Sequence, residues 1–572
     1  MILVYKKISL ASNSYILSLI DIYSYLEKFM KNKIILFFFL FSISFYSQEN
    51  EDAWVFMKDK PNSDTFLANP LQMLSQRSID RREKSNIPID EKDVPIHQVY
   101  YTKLKNEVTI AVLGKSKWLN AVHVQGTVTQ INDLFSKFNF IESIEYANKS
   151  LNTSEKSKGN NSLPEHYSKF NEVQTDFNYG AADNQIKMLK GDYLHQQGFT
   201  GQNQVIAVID AGFPNVNTLS AFQRLRDNNQ ILGGYNFADR NTNYYTRNSH
   251  GTHVLSTIAG YIENEFVGTA PDAKFYLFIS EIAETETVLE ETLWVEAAER
   301  ADSLGVDMIN TSLGYTTYDN PNHSHSYADM DGNTTFISRG AEIGVSRGMI
   351  LVNSAGNSGT SSWRYVGAPA DASSVFSIGA VNADENIASF SSFGPTADNR
   401  IKPDVLAQGQ NTTIVNFSSG SVSTSNGTSF SSPVMAGVIA CFWEAFPNKT
   451  NVEIMNLIRN SSDKYNNPTD QYGYGIPDFE AAYNTVLSLQ DFDIFSKIKI
   501  SPNPVKDFFS ISKNNILLTE YSAEIFNILG QKVTELSNFS SNKIDISFLE
   551  KGIYLLKIQK GNQHKTIKLI KE

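Results

Sequence analysis

Three stretches of this chain hold side chains that could together cut an acyl bond. The first is VIAVIDAGF, in which the apolar run Val205 to Ile209 delivers Asp210. The second is NSHGTHVLSTIAG, with His250 as its first titratable group, and the third is NGTSFSSPVMAGVIACFW, with Ser429 near its start. A serine hydroxyl is a poor nucleophile until a base removes its proton, and an imidazole is well tuned for that near neutral pH. The imidazole in turn needs a carboxylate to fix its tautomer and to stabilise the imidazolium that forms. The chain supplies them in the order Asp210, His250, Ser429. Singly, each has a plainer reading. An Asp after a strand commonly caps the next turn, and two His at i, i+3 invite a metal, although H-G-T-H lacks the glutamate of a zincin motif. His253 is expected to face packing rather than chemistry, and Gly251 to let another backbone come close.

The elements around these groups indicate how they could meet. From about 179 to 490, apolar runs alternate with helical patterns: VIAVI at 205–209, FYLFI at 275–279, VDMIN at 306–310, MILVN at 349–353 and VFSIGAV at 375–381. Unbroken apolar runs mark parallel strands buried on both faces, which helices must cover. The expected fold class is α/β, a doubly wound and mostly parallel sheet. Active groups in such sheets gather beyond the carboxyl ends of the strands, where Asp210 emerges. Ser429 is expected to open a helix that is apolar on all sides and so buried in the domain centre. Pro433 is expected in the first turn of that helix, where its missing N–H is harmless.

Taken together, DAG, HGTHVLSTIAG and GTSFSSPVMAG resemble the three signatures of the subtilisin-like serine protease (subtilase) family, over about 179–490. Asp, then His, then Ser is the subtilisin order of the triad. Ala211 departs from the family, which more often has Thr or Ser there, but it neighbours a catalytic group rather than being one. The resemblance implies Asp210, His250 and Ser429 as the catalytic triad. NSAGNSG, 353–359, resembles the family's oxyanion block and implies Asn357 as a side-chain donor beside the Ser429 N–H; outside that context an Asn in a Gly-rich loop reads as a turn residue. NTSLGY, 310–315, resembles the segment whose backbone pairs with substrate. It implies Ser312, Leu313 and Gly314 as one pocket wall, with Ala355 and Gly356 as the other. Such walls are mostly backbone and small residues, so no side-chain preference is legible. The resemblance implies no required cofactor and no catalytic metal. Structural calcium occurs in the family, but its ligands cannot be mapped here residue by residue.

The 572 residues predict three or four domains at roughly 150 per domain. Apolar residues make up 41% and charged residues 19%, with 67 aromatics, which excludes disorder throughout. The net charge of −12 argues against nucleic acid as a partner, since a phosphate binder needs a basic face. The single cysteine, Cys441 in VIACFW, excludes an intrachain disulfide and reads as a small buried hydrophobe. Lys31 and Lys33 precede a 13-residue apolar stretch, Ile34 to Tyr46, and small Ser47: a secretory signal with a core too short to span a bilayer. Residues 1–48 are therefore read as a signal region, with Met30 as an alternative start.

Residues 49–150 read as an α+β unit and resemble a subtilase propeptide, a chaperone and inhibitor that is later cut away in the polar linker 151–178. A permanent N-terminal domain is the alternative. The last segment, 496–572, alternates strand-like runs and carries 12 Lys and no Arg against 7 acids, which reads as a small β-sandwich. Its SPNPVKDFFSI, EIFNILGQKV and LEKGIYLLKIQKGNQHKTIKLI resemble the Por-type (type IX) secretion tail of a group of Gram-negative bacteria; a carbohydrate-binding module is the alternative. HSHSYADMDGN, 323–333, fails the spacing of an EF-hand loop and is expected to be a surface insertion.

The function expected from these readings is a secreted serine endopeptidase, made as a zymogen and working through an acyl-enzyme. Its partners would be peptide or protein substrates, its own propeptide as inhibitor and the type IX secretion machinery, and its location the cell surface or exterior, reached through the periplasm. The alternative from another class is a catalytically inactive surface adhesin or binding protein on the same fold. A processing peptidase dedicated to one partner shares the chemistry and differs only in substrate. The intact Asp, His, Ser and Asn set weighs against the inactive reading.

Overall fold

A computed structural model of the protein describes residues 49–152, 177–496, 498–513, 522–537, 543–560 and 563–572. The signal region expected at 1–48 and most of the linker expected at 151–178 lie outside the described residues. Strands β1 (Glu51–Met57), β2 (Ala111–Ser116), β3 (Ala121–Gly126) and β4 (Ile141–Tyr146) form an antiparallel sheet in the order β2-β3-β1-β4. Its inward residues Val55, Val122 and Val124 pack with Ile131 and Leu134 from two short helices, and with Phe140 from the turn before β4, into a core of their own. Between β1 and β2 the chain makes an excursion that includes helix α1 (Gln76–Lys84), capped by the Ser75 hydroxyl, which accepts from Ser78 N. The sequence QRSIDRREK has no apolar stripe, and the residues that α1 buries include Arg81 and Arg82.

The apolar runs become the parallel sheet they predict. Strands β5 (Val205–Asp210), β6 (Ile231–Asn236), β7 (Lys274–Ile279), β8 (Met308–Thr311), β9 (Ile350–Ser354), β10 (Phe376–Val381) and β11 (Val405–Gln408) lie in the order β11-β10-β9-β8-β5-β7-β6. Every neighbouring pair is parallel. From β5 the chain first builds outward through β6 and β7, then on the other side through β8 to β11. The crevice where the order reverses, beyond the ends of β5 and β8, is where open α/β sheets hold ligands. Helices α2 (His250–Ala259), α3 (Leu289–Leu304), α4 (Phe336–Ser346) and α5 (Thr428–Ala445) flank the sheet. In α5 every residue from Thr428 to Trp443 is buried, as its uniformly apolar pattern predicts. Cys441 lies within it, and burial pushes its thiol well above the usual range.

Helix α6 (Phe479–Ser496) closes this domain, so the boundary expected near 490 falls inside a helix. The last residues form two antiparallel sheets, one of three strands and one of four. Phe509 and Ile544 from the first sheet and Ile525, Leu556 and Leu569 from the second share one core, which is separate from that of the α/β domain. This is the β-sandwich read from strand alternation. Among the described residues no helix is long and apolar enough to cross a membrane.

Candidate active site

Strand β5 ends on Asp210, buried to 1% exposure. Its Oδ1 accepts from Ala211 N at 2.7 Å and from His250 Nδ1 at 2.8 Å. A carboxylate can only accept, so this bond holds the proton of a neutral imidazole on Nδ1 and leaves Nε2 free to take another. Burial alone would lower the imidazole's pKa, but the charge and hydrogen bond of Asp210 prevail and hold it above its ordinary value. His250 is the first residue of α2, and a Cβ on the following Gly251 would stand 2.5 Å from Gly212 O and 3.0 Å from Asp210 Cβ. Only glycine permits that approach. His253 faces packing, as expected: its ring meets Phe417 edge-on, and Nε2 accepts from Phe417 N at 3.3 Å.

Ser429 is the second residue of α5, 9% exposed, and its neighbour Phe430 lies with its ring 5.9 Å from that of His250. The Ser429 hydroxyl donates to Ser312 O at 3.1 Å, and no hydrogen bond joins it to His250 among the described residues. Apo geometries of this kind commonly tighten only when substrate is bound. Pro433 corrects the sequence expectation. It is the sixth residue of α5, beyond the first turn, so its missing N–H leaves the Ser429 carbonyl without a helical partner. Ser312 replaces that partner: its Oγ donates to Ser429 O at 2.9 Å, so Ser312 and Ser429 each donate to the other's carbonyl. Asn310 donates to Ser312 Oγ at 3.2 Å and accepts from Ser432 Oγ at 3.0 Å, which holds the pair from both sides.

Asn357 stands across the N-terminus of α5. Its Oδ1 accepts from Thr428 N at 2.9 Å and from Thr428 Oγ1 at 3.0 Å, so Nδ2 points elsewhere. The Ser429 N–H finds no acceptor among the described residues. A Cβ on Gly427, where φ is +145, would stand 3.4 Å from Asn357 Nδ2 and 3.7 Å from both Asn357 Oδ1 and Ser429 N. Glycine keeps that space open, and the positive end of α5 adds to its attraction for an anion. Sequence reasoning quoted the block that holds Gly427 and Thr428 without singling them out. It also missed Ser392, which accepts from Ser358 N at 2.9 Å and would stand 2.9 Å from a Cβ on Gly356.

Ser312, Leu313 and Gly314 continue β8 beyond its last ladder residue, and Ala355 and Gly356 continue β9. Asn353, within β9, holds the first extension by donating to Leu313 O at 3.2 Å. The next residue, Tyr315, donates to Glu281, whose carboxyl burial pushes well above the usual range.

The insertion at 323–333 differs from a plain surface loop. His323 and His325 are 5% and 8% exposed; His323 pairs with Glu51 of β1 at 3.0 Å, and His325 pairs with Glu291 at 2.8 Å. The N-terminal unit covers both imidazoles, a contact between distant parts of the chain that no local pattern announces. Among the described residues no group of three or more His, Cys, Asp or Glu is arranged to hold a metal.

Comparison with known proteins follows the same division. Residues 201–475 match the Subtilase family of S8 peptidases, 52–163 the Peptidase S8 propeptide domain of Bacteroidota, and 499–572 the Secretion system C-terminal sorting domain. Subtilisin NAT of Bacillus subtilis subsp. natto is 31% identical over 305 residues, 52% of this chain and 70% of that protein. Subtilisin of Bacillus pumilus is also 31% identical over 305 residues, 52% of this chain and 97% of that protein. Among solved structures, the MycP3 protease from the type VII (ESX-3) secretion system is similar over 55% of this chain and 90% of that one, at 20% identity and a TM-score of 0.44.

Proposed function

The chain belongs to the subtilase family of serine endopeptidases, and from that premise we propose that it cuts peptide bonds with Asp210, His250 and Ser429. The observation that carries this assignment is the 2.8 Å bond from His250 Nδ1 to Asp210, which leaves Nε2 as the base, at the sheet edge where the buried helix α5 presents Ser429 in its first turn. Ser429 Oγ turns from the Ser312 carbonyl to the substrate carbonyl as His250 takes its proton. The tetrahedral oxygen enters the space before Gly427, between Asn357 Nδ2 and Ser429 N. His250 returns the proton to the leaving amine, and water repeats the sequence on the acyl-enzyme. Ser312, Leu313 and Gly314 would pair with the substrate backbone on one side, with Ala355 and Gly356 on the other.

The same premise extends to the rest of the chain. Residues 49–150 serve as propeptide and inhibitor, cleavage in 151–178 converts a zymogen to enzyme, and the tail from about 496 addresses the protein through the type IX machinery to the cell surface or exterior. A fluorophosphonate probe followed by peptide mapping tests the catalytic assignment. It should label Ser429, and Ser429→Ala or His250→Ala should each lower kcat by about 10⁶, the size found for the triad of subtilisin, which belongs to this family. Hydrolysis that survives in Ser429→Ala would exclude the mechanism and favour a non-catalytic role.

A further inference from the structure

The wall proposed to receive the substrate backbone, Ser312 to Gly314, leaves the sheet after Thr311, which pairs with Ile209 of β5 and Asn353 of β9. From there its position depends on what holds its two ends. The near end is fixed by the bonds that Ser312 and Ser429 exchange and by the bond from Asn353 to Leu313 O. Gly314 contributes no side chain, and beyond its chain neighbours a Cβ there would meet only Ala368 O, at 3.3 Å. The far end is therefore fixed by Tyr315. Its N–H donates to Ala368 O at 2.8 Å, and the Ala368 N–H donates to Tyr315 O at 3.2 Å. The side chain forms the third anchor: Tyr315 is 1% exposed, and its hydroxyl donates to Glu281.

Glu281 belongs to the frame of the carboxylate proposed for the triad. Strands β5 and β7 end on the pair Asp210 and Ile279, and the next residue, Ser280, donates its N–H to Asp210 O at 3.2 Å. Glu281 follows directly. The bond from Tyr315 thus ties the free end of the wall to the strand ends that carry Asp210. Burial, and after it the charge of Glu290, hold the Glu281 carboxyl well above the usual carboxylate range. Burial and Glu281 raise the Tyr315 phenol as well, so it keeps the proton that it donates. The loop after Glu281 has supports of its own. Glu290 accepts from Ile282 N at 2.8 Å and from Thr287 N at 2.9 Å. Glu286 N donates to Asp319 at 3.1 Å, and Asp319 N donates to Glu286 O at 2.9 Å. Those bonds hold the loop without the Tyr315 hydroxyl, which leaves the wall as the part that the hydroxyl controls.

We propose that Tyr315 is a positioning residue for the substrate: anchored on Glu281, it fixes the wall Ser312–Gly314 relative to the triad, so that an extended peptide pairs with the wall in register with Ser429. The proposal rests on the catalytic reading above. A peptide that adds itself as a strand gains its affinity from main-chain bonds to an edge that is already in place. Ordering that edge only at the moment of binding weakens the complex. A small ester that reaches Ser429 and the oxyanion donors alone does not touch the wall, and it should not sense Tyr315.

The test compares the processed wild-type chain with Tyr315→Phe, which keeps the ring and removes only the bond to Glu281. KM for a peptide extended on the acyl side of the cut should rise at least about fivefold with kcat within about twofold, the split that marks lost binding rather than lost chemistry. Hydrolysis of p-nitrophenyl acetate and the rate of labelling by a small fluorophosphonate should stay as in the wild type. Glu281→Gln keeps an acceptor of the same shape and should keep the wild-type KM, whereas Glu281→Leu should reproduce the defect of Tyr315→Phe. Should Tyr315→Phe fail to mature, the two Glu281 variants carry the same comparison. A smaller rise in KM would overturn the proposal, and so would equal losses on peptide and ester, which would mean a general disturbance of the site. A wild-type chain that fluorophosphonate does not label would instead remove the catalytic reading, and this proposal with it.

Discussion

A methyl group at position 427 would occupy the space 3.4 Å from Asn357 Nδ2 and 3.7 Å from Ser429 N where the oxyanion is proposed to form. Gly427→Ala should therefore depress kcat far more than it raises KM. The expected loss is at least that of a missing donor, about 10²–10³, a range known from subtilisin itself, a member of this family. The backbone at φ +145 adds strain, so thermal unfolding should fall modestly while the fold persists. An unchanged kcat would place the oxyanion elsewhere. His250 makes a second prediction. Its neutral form is the proposed base, so kcat/KM should fall as pH drops through the imidazole pKa, which Asp210 holds above its ordinary value. Asp210→Asn should move that acid limb to lower pH and reduce the plateau; a limb left in place would mean that another group controls it. At this scale the sequence is informative about the groups proposed for catalysis and silent about the groups that hold them. Asp210, His250, Ser429 and Asn357 sit in recognisable blocks, whereas Thr428 and Ser392 act through hydrogen bonds to residues 71 and 34 positions away.

Helix α5 shows why element boundaries were harder to read than element types. Its apolar pattern announced a buried helix, but the side-chain acceptor at its N-terminus comes from Asn357, far away in sequence, so no local capping signal marked Thr428 as the start. Pro433 was consequently placed too near the end, and the role of Ser312 as substitute donor to Ser429 O went unseen. Helix α1 is hidden for the opposite reason: a helix that buries arginines against carboxylates has no hydrophobic periodicity to detect. Beneath α5 lies a group with a measurable consequence. His195 is fully buried; its Nε2–H donates to Thr269 O at 3.1 Å and its Nδ1 accepts from the Tyr179 hydroxyl at 2.7 Å. Burial pulls its pKa down to about 4 from 6.5. The unfolded imidazole takes up a proton as pH falls through about 6.5, and the folded one does not until about 4. The stability that depends on neutral His195 is thus full above about 6.5 and lost progressively down to about 4, on the order of 3 kcal/mol in all. Urea unfolding of the Ser429→Ala chain should become weaker across that window, and His195→Gln should flatten the difference. Equal pH slopes for both chains would show that carboxylates alone govern the acid limb.

Across the whole molecule, the units differ in how they are joined. The N-terminal unit contributes Trp54, Trp118, Ala121 and Ala147 to the main core and could not have been placed from sequence, because its contacts pair residues hundreds of positions apart. The tail was legible both as strands and as a resemblance, and its core shares no residue with the main one. Its net charge is +5, from 12 Lys against 7 acids, while the remainder of the chain carries −17. Separate cores and opposite charge mark separate folding units. None of the groups proposed for catalysis or for the pocket lies beyond Gly427, Thr428 and Ser429 in the chain, and α6 runs to Ser496 before the first strand of the tail. A truncation meant to spare the enzyme therefore belongs after Ser496; one near Gln490 would remove the end of that helix. A chain ending at Ser496 should retain kcat/KM on a peptide substrate within about twofold, since a distant site with no shared partners contributes additively and little. In a host that uses the type IX machinery the same chain should stop in the periplasm, because an N-terminal signal of the kind read here crosses only the inner membrane. Fractionation of the cells that finds the truncated enzyme outside would refute the addressing role, and a truncation that instead abolishes binding to an insoluble polysaccharide would assign the tail to substrate attachment.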